Sequence, residues 1–413
     1  MKIYRQLDNI QSSRLLFWTA WLAYASAYVG RLNFSAALAT IIDQGVFTKS
    51  QAGFIGTVFF FCYGAGQLFS GIIADRFSPY KLIFTGLTLS AAANFFMFAL
   101  NNYILITIVW GFNGIAQSLL WASVLFIISN ILHEDIRYKA CINIASSNVV
   151  GTLIAYIIAM ICSGFRWNTV FAVSAIIMAA VSLIWLYVSM KIAKAEYKVI
   201  QTESESVEAG SPIKFRKLLT VSGIIIVMFA VMLHGMLKEG IMTWVPTMIT
   251  ETYQVKPVFS IFVSMILPVI NLGGAYFATY LFEKITKRNE IITSVYIMSF
   301  IIIPLIVILF IGRIPLLLCI ITLAMITMAM HAFNHVYITL APLRFHRYNS
   351  TAKVTGIFNS MAYAGCAVSN FGFGWLSDIF GWKNTVYFWI GIAVIAVVFC
   401  LLTIKRWGKF ISS

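Results

Sequence analysis

The sequence predicts an all-α membrane protein of twelve transmembrane helices, arranged as two pseudo-symmetric six-helix bundles. Three observations carry that prediction. Hydrophobic residues make up 61% of the chain and charged residues only 10%, whereas a soluble domain has roughly a quarter of its residues charged. Apolar stretches recur at lengths close to the about 20 residues that cross a bilayer core. Finally, Phe165-Arg166-Trp167-Asn168-Thr169-Val170-Phe171 in the first half has a counterpart in Phe380-Gly381-Trp382-Lys383-Asn384-Thr385-Val386-Tyr387-Phe388 in the second.

The apolar segments fall in order at about 15–40, 51–74, 82–100, 103–131, 140–163 and 169–190, then at 218–247, 258–282, 291–311, 316–341, 353–376 and 385–404. Lipid offers no partner to a backbone N–H or C=O, so each segment must satisfy its own backbone as a helix. The first is a full span with no small-residue cleavage site after it, so no cleavable signal is expected. The two repeated stretches follow spans 5 and 11, each at the turn before the last span of its half. The long polar stretch 191–217 divides the chain near its midpoint. The expected organisation is therefore a six-helix bundle over 1–190, a cytoplasmic linker over 191–217 and a second six-helix bundle over 218–413.

Orientation follows from the basic residues. Of the 29 Lys and Arg, Lys49, Arg166, Lys256, Arg313 and Lys383 fall in loops on one side, and Arg31 and Lys238 fall within spans. All the others lie in the linker, the termini and the loops on the opposite side. The positive-inside rule then places both termini in the cytoplasm, and the bacterial inner membrane is the expected location. The same distribution accounts for the net charge of +15. It sits in short inward loops facing anionic lipid, so lipid is an expected partner and nucleic acid is not. The six cysteines lie in apolar segments without metal-like spacing and read as small core hydrophobes.

Charge inside a span is costly and marks function or a partner. Arg31, Lys238 and Glu239 are the charges expected well within spans, with Arg31 in the first span of one half and Lys238 in the first span of the other. They lie at similar depth, and two cations converging on a central cavity make an anion site. The plainer alternative is an Arg31–Glu239 or Lys238–Glu239 pair locking helices together. Glu239 is also the expected residue for coupling to protons, since intramembrane carboxylates serve as proton relays.

Further polar residues lie in spans. Tyr28, Asn33, Gln117, Asn148, Asn334 and Tyr337 are candidate substrate contacts, with inter-helix hydrogen bonding as the competing role. Tyr24, Asn113 and Asn359 belong to the same group. His331 and His335 share a face of span 10; no further ligands accompany them, so they are expected to line a cavity or the core, and neither metal nor cofactor is expected. Asp75 and Arg76, at an inward hinge between spans 2 and 3, are candidates for conformational switching.

The stretch Gly71-Ile72-Ile73-Ala74-Asp75-Arg76-Phe77-Ser78-Pro79-Tyr80-Lys81 resembles the loop signature of the major facilitator superfamily. Its Asp-Arg-x-x-Pro form is similar to the organophosphate:phosphate antiporters, the glycerol-phosphate and hexose-phosphate transporters. Tyr63-Gly64-Ala65-Gly66-Gln67, Arg31-Leu32-Asn33-Phe34 and Lys238-Glu239-Gly240 leading into Thr243-Trp244-Val245-Pro246-Thr247 share that resemblance. Arg31, Asn33 and Ser35 also form a pattern similar to organic-anion/proton symporters of the superfamily. The chain departs from the antiporters at three positions: Leu32 stands where a second cation is expected, Lys238 where an arginine is, and Ser147 where a histidine precedes Asn148-Val149.

The resemblance implies a secondary active transporter for a small organic anion, a phosphorylated metabolite among the candidates, working as a monomer by alternating access. A proton-coupled carboxylate symporter and a transporter-derived membrane sensor are the alternatives. No nucleophile–base pair, metal cluster or nucleotide motif points to an enzyme.

Overall fold

A computed structural model describes residues 2–193, 197–202, 215–345, 348 and 350–412. The chain is almost wholly helical and divides into two compact units. Unit 1 comprises Met1–Ala37 and Phe61–Ser206; unit 2 comprises Leu38–Phe60 and Val207–Ser413. The division cuts across the first two spans, because the end of the first helix and the start of the second pack with the C-terminal half.

Helices α1 (Ile10–Asp43), α2 (Lys49–Arg76), α3 (Pro79–Ala99), α4 (Tyr103–Phe126), α5 (Glu134–Cys162) and α6 (Thr169–Ile192) follow one another as expected. Their ends are set by local chemistry. Pro79 opens α3, where a missing N–H costs nothing. Asn102 caps α4 by accepting from the backbone of Ile104 and Leu105. Glu134 and Asp135 sit in the first turn of α5, where negative charge complements the helix dipole. The core of unit 1 gathers Leu16, Ala20, Ile83, Leu87, Leu120, Ile127, Met178 and Trp185.

Two strands stand outside this helical pattern. β1 (Lys2–Leu7) pairs antiparallel with β2 (Tyr197–Thr202), in register from Lys2 opposite Thr202 to Leu7 opposite Tyr197. The expected linker is therefore tied to the N-terminus, and Leu7 is buried in the core of unit 1.

In unit 2 the short α7 (Phe215–Val221) precedes α8 (Ile224–Tyr253). The next span is broken into α9 (Pro257–Ser264), α10 (Ile266–Asn271) and α11 (Gly273–Tyr280), followed by α12 (Glu290–Ile308), α13 (Leu316–His335), α14 (Ala341–Leu343) and α15 (Thr351–Ser412). α15 holds two spans, separated at Gly381, whose φ of 75° and ψ of 171° break the helix in a region open to glycine. Ten helices among the described residues are long and apolar enough to cross a membrane. Dividing α15 at Gly381 and adding α1, which carries Arg14 and Arg31, is consistent with the twelve expected spans.

The duplication also shows in the backbone. α4 and α13, the fourth spans of the two halves, each run into a π-helical turn, Ile127–Ile131 and Val336–Leu340. Close helix approach is equally matched. Gly151 of α5 lies against the Ala25 carbonyl and Tyr28 of α1, and Gly365 of α15 lies against the backbone of Met232 and Met236 of α8. Any side chain at either glycine would meet backbone, so these crossings depend on glycine.

Candidate functional site

In unit 1 the site is built on α1. A buried amide shell fixes the back of this helix. Asn94 and Asn113 each donate from Nδ2 to the Gly30 carbonyl at 3.0 Å, and Gln117 Nε2 donates to the Ala27 carbonyl at 3.0 Å. Asn33 Nδ2 donates to Asn94 Oδ1 at 2.7 Å, Ser90 bonds Asn113, and Gln117 reaches Ser90 Oγ at 3.0 Å. Carbonyl oxygens have two lone pairs, so Ala27 accepts its amide beside a helix bond, whereas the two amides on Gly30 occupy both of its lone pairs.

This shell holds Arg31 in place. Its side chain is 8% exposed, and the guanidinium carbon lies 4.2 Å from the ring centre of Tyr28 and 5.1 Å from that of Tyr63. Cation–π attraction is strongest where water is excluded, about 2 kcal/mol when desolvated. Tyr28 continues an aromatic stripe along α1 through Tyr24, which packs on Trp121 at 4.9 Å. Asn148 on α5 is partly exposed, its Oδ1 accepting from Thr152 at 3.3 Å. Ser147 beside it is buried and donates to the Ile144 carbonyl of its own helix.

In unit 2, α8 carries Lys238 and Glu239, both partly exposed. Neither forms an ion pair among the described residues, as befits neighbours pointing about 100° apart on a helix. Lys238 lies close enough to His234 and His331 for its charge to act on both, and Asn334 is the amide neighbour of His234.

The structure thus brings Arg31 together with Tyr28 in unit 1, and sets both Lys238 and Asn334 beside His234 in unit 2. It places three other candidates elsewhere. Asn33 and Gln117 are buried in the amide shell with their donors engaged. Tyr337 is buried among Phe333, Phe358 and Cys400, its hydroxyl 3.8 Å from the Cys400 sulfur. Their side chains are occupied by inter-helix contacts. The side chains of Asp75 and Arg76 lie outside the described residues. No group of three or more metal-binding side chains occurs among the described residues.

Sequence reasoning passed over three polar groups. His234 stands four residues before Lys238, a spacing that puts both on one helical face. Ser90 and Asn94 show the same spacing on α3. Glu290, at the start of α12, is 1% exposed; it accepts from Arg344 Nε at 2.7 Å and Trp407 Nε1 at 3.0 Å. It is a third buried polar centre, added to the charges expected within spans.

Comparison with known proteins agrees with this architecture. The glycerol-3-phosphate transporter of Bacillus subtilis is 23% identical over 94% of this chain and 91% of its own length. A probable hexose phosphate transport protein of Chlamydia pneumoniae is 30% identical over 106 residues, 26% of this chain and 23% of that protein. The membrane sensor protein UhpC of Escherichia coli is 30% identical over 110 residues, 27% of this chain and 25% of its own. The alignments with the hexose phosphate proteins and the sensor thus span about a quarter of those relatives. Among solved structures, a bacterial homologue of the human lysosomal transporter Spinster superposes with a TM-score of 0.79 at 13% identity, covering 97% of this chain and 99% of that one. That likeness is one of fold. Residues 20–370 match the profile of the Major Facilitator Superfamily, and with twelve spans' worth of helix, a halved and repeated build and a match over most of its length, the chain belongs to that superfamily.

Proposed function

We propose that the protein is a secondary active transporter that carries a small organic anion across the membrane by alternating access, with Arg31 and Lys238 as its anion-binding cations. The observation that carries this reading is Arg31 itself, a guanidinium in the membrane-spanning part of α1, 8% exposed and faced by two tyrosine rings. A charge within a membrane span is costly and marks a functional site by default. Arginine presents its donors as a fork that suits phosphate or carboxylate. Tyr28, Asn148 and Asn334 are the further contacts proposed.

The named transport of glycerol 3-phosphate and hexose phosphate by relatives supports a phosphorylated substrate. Orientation with both termini in the cytoplasm of a bacterial inner membrane, a monomeric state and a cytoplasmic linker over 191–217 between bundles 1–190 and 218–413 complete the proposal. Counterflow in proteoliposomes tests it, with inorganic phosphate, glycerol 3-phosphate, glucose 6-phosphate and succinate as trapped and external solutes. Exchange of at least one anion is expected, with no exchange of glucose; exchange of none would sink the reading.

The likeness to a membrane sensor favours one second reading, in which the same site binds an anion and reports it. Saturable anion binding without counterflow would select it.

A further inference from the structure

Where α8 passes α13 in unit 2, Lys238, His331 and Asn334 lie near enough to His234 to act on it. His234 and Lys238 lie one turn apart on α8; His331 and Asn334 lie three residues apart on α13, so each pair shares a helical face. Lys238, His331 and Asn334 are partly exposed. His234 lies behind them at 1% exposure, its ring stacked on Phe333 at 4.7 Å between centres.

Neither ring nitrogen of His234 has a hydrogen-bond partner among the described residues. Buried polar atoms are nearly always paired, and an idle one calls for an explanation. A histidine kept for packing alone would have its N–H satisfied or be replaced by an apolar ring. Here the stacking on Phe333 fixes the ring, and the Asn334 side chain lies near enough to act on it as a hydrogen-bond neighbour without closing to strict hydrogen-bond geometry.

The backbone around the cluster is held on both sides. Gly235 lies against the Ala362 backbone, and Gly365 against Met232 and Met236, which clamps α8 to α15 at the level of His234. Gly274 of α11 lies against the Met328 carbonyl, the Ala332 nitrogen and His331 Cβ, which clamps α13 at the level of His331. Such support is what a pre-organised binding site needs.

We infer that His234 and His331, with Lys238 and Asn334, form an oxyanion subsite in unit 2. Each neutral imidazole offers one N–H, the asparagine amide two and the ammonium three. Several donors and one fixed positive charge favour an anionic head group with several oxygens. Glu239, the neighbouring carboxylate, points about 100° away along the helix. A phosphate monoester and a carboxylate share this head-group chemistry, and the experiment separates them. The inference rests on the anion-transport reading for Lys238 and adds two imidazoles to it.

The test uses the full chain in nanodiscs, with inorganic phosphate and succinate as separate probes. His234→Phe and His331→Phe keep an aromatic ring and remove its N–H. Each should raise the Kd for the preferred anion at least ten-fold, and the double variant further. In the wild-type protein labelled with 15N-histidine, phosphate or succinate should shift the imidazole signals of His234 and His331, leaving that of His133 unmoved. The titration stands even where a variant fails to fold. Unmoved His234 and His331 signals in a protein that binds and exchanges anions would overturn the subsite alone. A wild-type protein that binds neither probe would overturn both the subsite and the transport reading beneath it.

Discussion

The ammonium of Lys49 lies 2.9 Å from a carboxylate oxygen of Glu251, joining residues 202 positions apart at one end of unit 2. Trp382 Nε1 donates to the same oxygen at 2.7 Å. Asp378 accepts from the backbone and hydroxyl of Ser50 at 2.7 and 2.5 Å, and Lys49 Nζ is 3.8 Å from its other oxygen. A carboxylate there also meets the positive end of α2. Further along, Thr57 donates to the Ala367 carbonyl and accepts from the Phe371 amide, while Gly53 lies on the backbone of Asn370. Charges clasp the tip of α2 and close backbone contact continues down it.

Loosening that clasp is expected to expose the packed face below. With side-chain exposures of 12% and 31%, the Lys49–Glu251 pair is worth about 1 kcal/mol after solvent screening. That is about a five-fold change in an opening equilibrium. A cysteine replacing Phe60, which packs on Tyr363, should react about five-fold faster with an impermeant maleimide in the Lys49→Met background. An unchanged rate would show that the clasp does not control access to this face.

Arg31→Gln should leave the protein folded and raise the Kd for the transported anion at least ten-fold, measured by binding in detergent or nanodiscs. Arg31→Lys keeps the charge and loses the fork, so partial retention would mean a point charge suffices. Wild-type affinity in Arg31→Gln would remove this residue from the site.

The amide shell behind α1 should behave differently. Inter-helix hydrogen bonds in membranes average about 0.6 kcal/mol. Asn33→Ala and Gln117→Ala are therefore expected to lower the melting temperature by a few degrees and leave anion affinity within about three-fold. A ten-fold loss of affinity at unchanged stability would instead make either residue a direct contact.

Glu290→Gln tests the third buried centre. Its carboxylate serves Arg344 and Trp407 at once, and Arg344 also donates to the Arg288 carbonyl at 2.8 Å. Removing one charge from a buried pair costs about 3–5 kcal/mol; with Arg344 37% exposed, about 2 kcal/mol is expected. Thermal unfolding of the purified protein reads it, and a stability equal to wild type would show that the pair adds nothing.

Much of this was legible before any coordinates. Twelve spans follow from hydropathy, and Arg31 and Lys238 stand out because a charge in an apolar run marks either a site or a buried pair. Asn33 and Gln117 are harder, since an amide that binds a neighbouring helix and one that binds a solute read identically until the partner is seen. His234 differs again: a single imidazole in a span carries no charge signal, and the setting of its nitrogens depends on what α13 and α15 place around it. Tyr197–Thr202 holds Tyr197, Val199, Ile200 and Thr202, types favoured in strands, yet within a charged linker that composition means little without β1 to pair with. The Lys49–Glu251 clasp joins loop-end charges whose meeting depends on tertiary packing alone.

Glu239→Gln addresses what drives transport. Glu239 follows Lys238 directly, is partly exposed, and forms no ion pair among the described residues. It sits where α8 is held against α15, since Gly240 lies against Phe373 and Ser369, so its backbone is fixed while its side chain stays partly exposed. A carboxylate so placed, beside a cation assigned to the anion, suits a proton carrier: an arriving anion draws on the Lys238 charge and leaves Glu239 to take up a proton, and loss of that proton on the inner side returns the cation and releases the solute. The rival account makes Glu239 a helix-positioning residue, with exchange driven by a counter-anion. Glutamine keeps the shape and hydrogen bonding of the side chain and removes its proton chemistry. In proteoliposomes the variant should therefore retain anion counterflow and lose uphill accumulation under an imposed pH gradient. Accumulation at the wild-type level would assign the driving force to the counter-anion, and loss of counterflow as well would assign Glu239 to the architecture of α8.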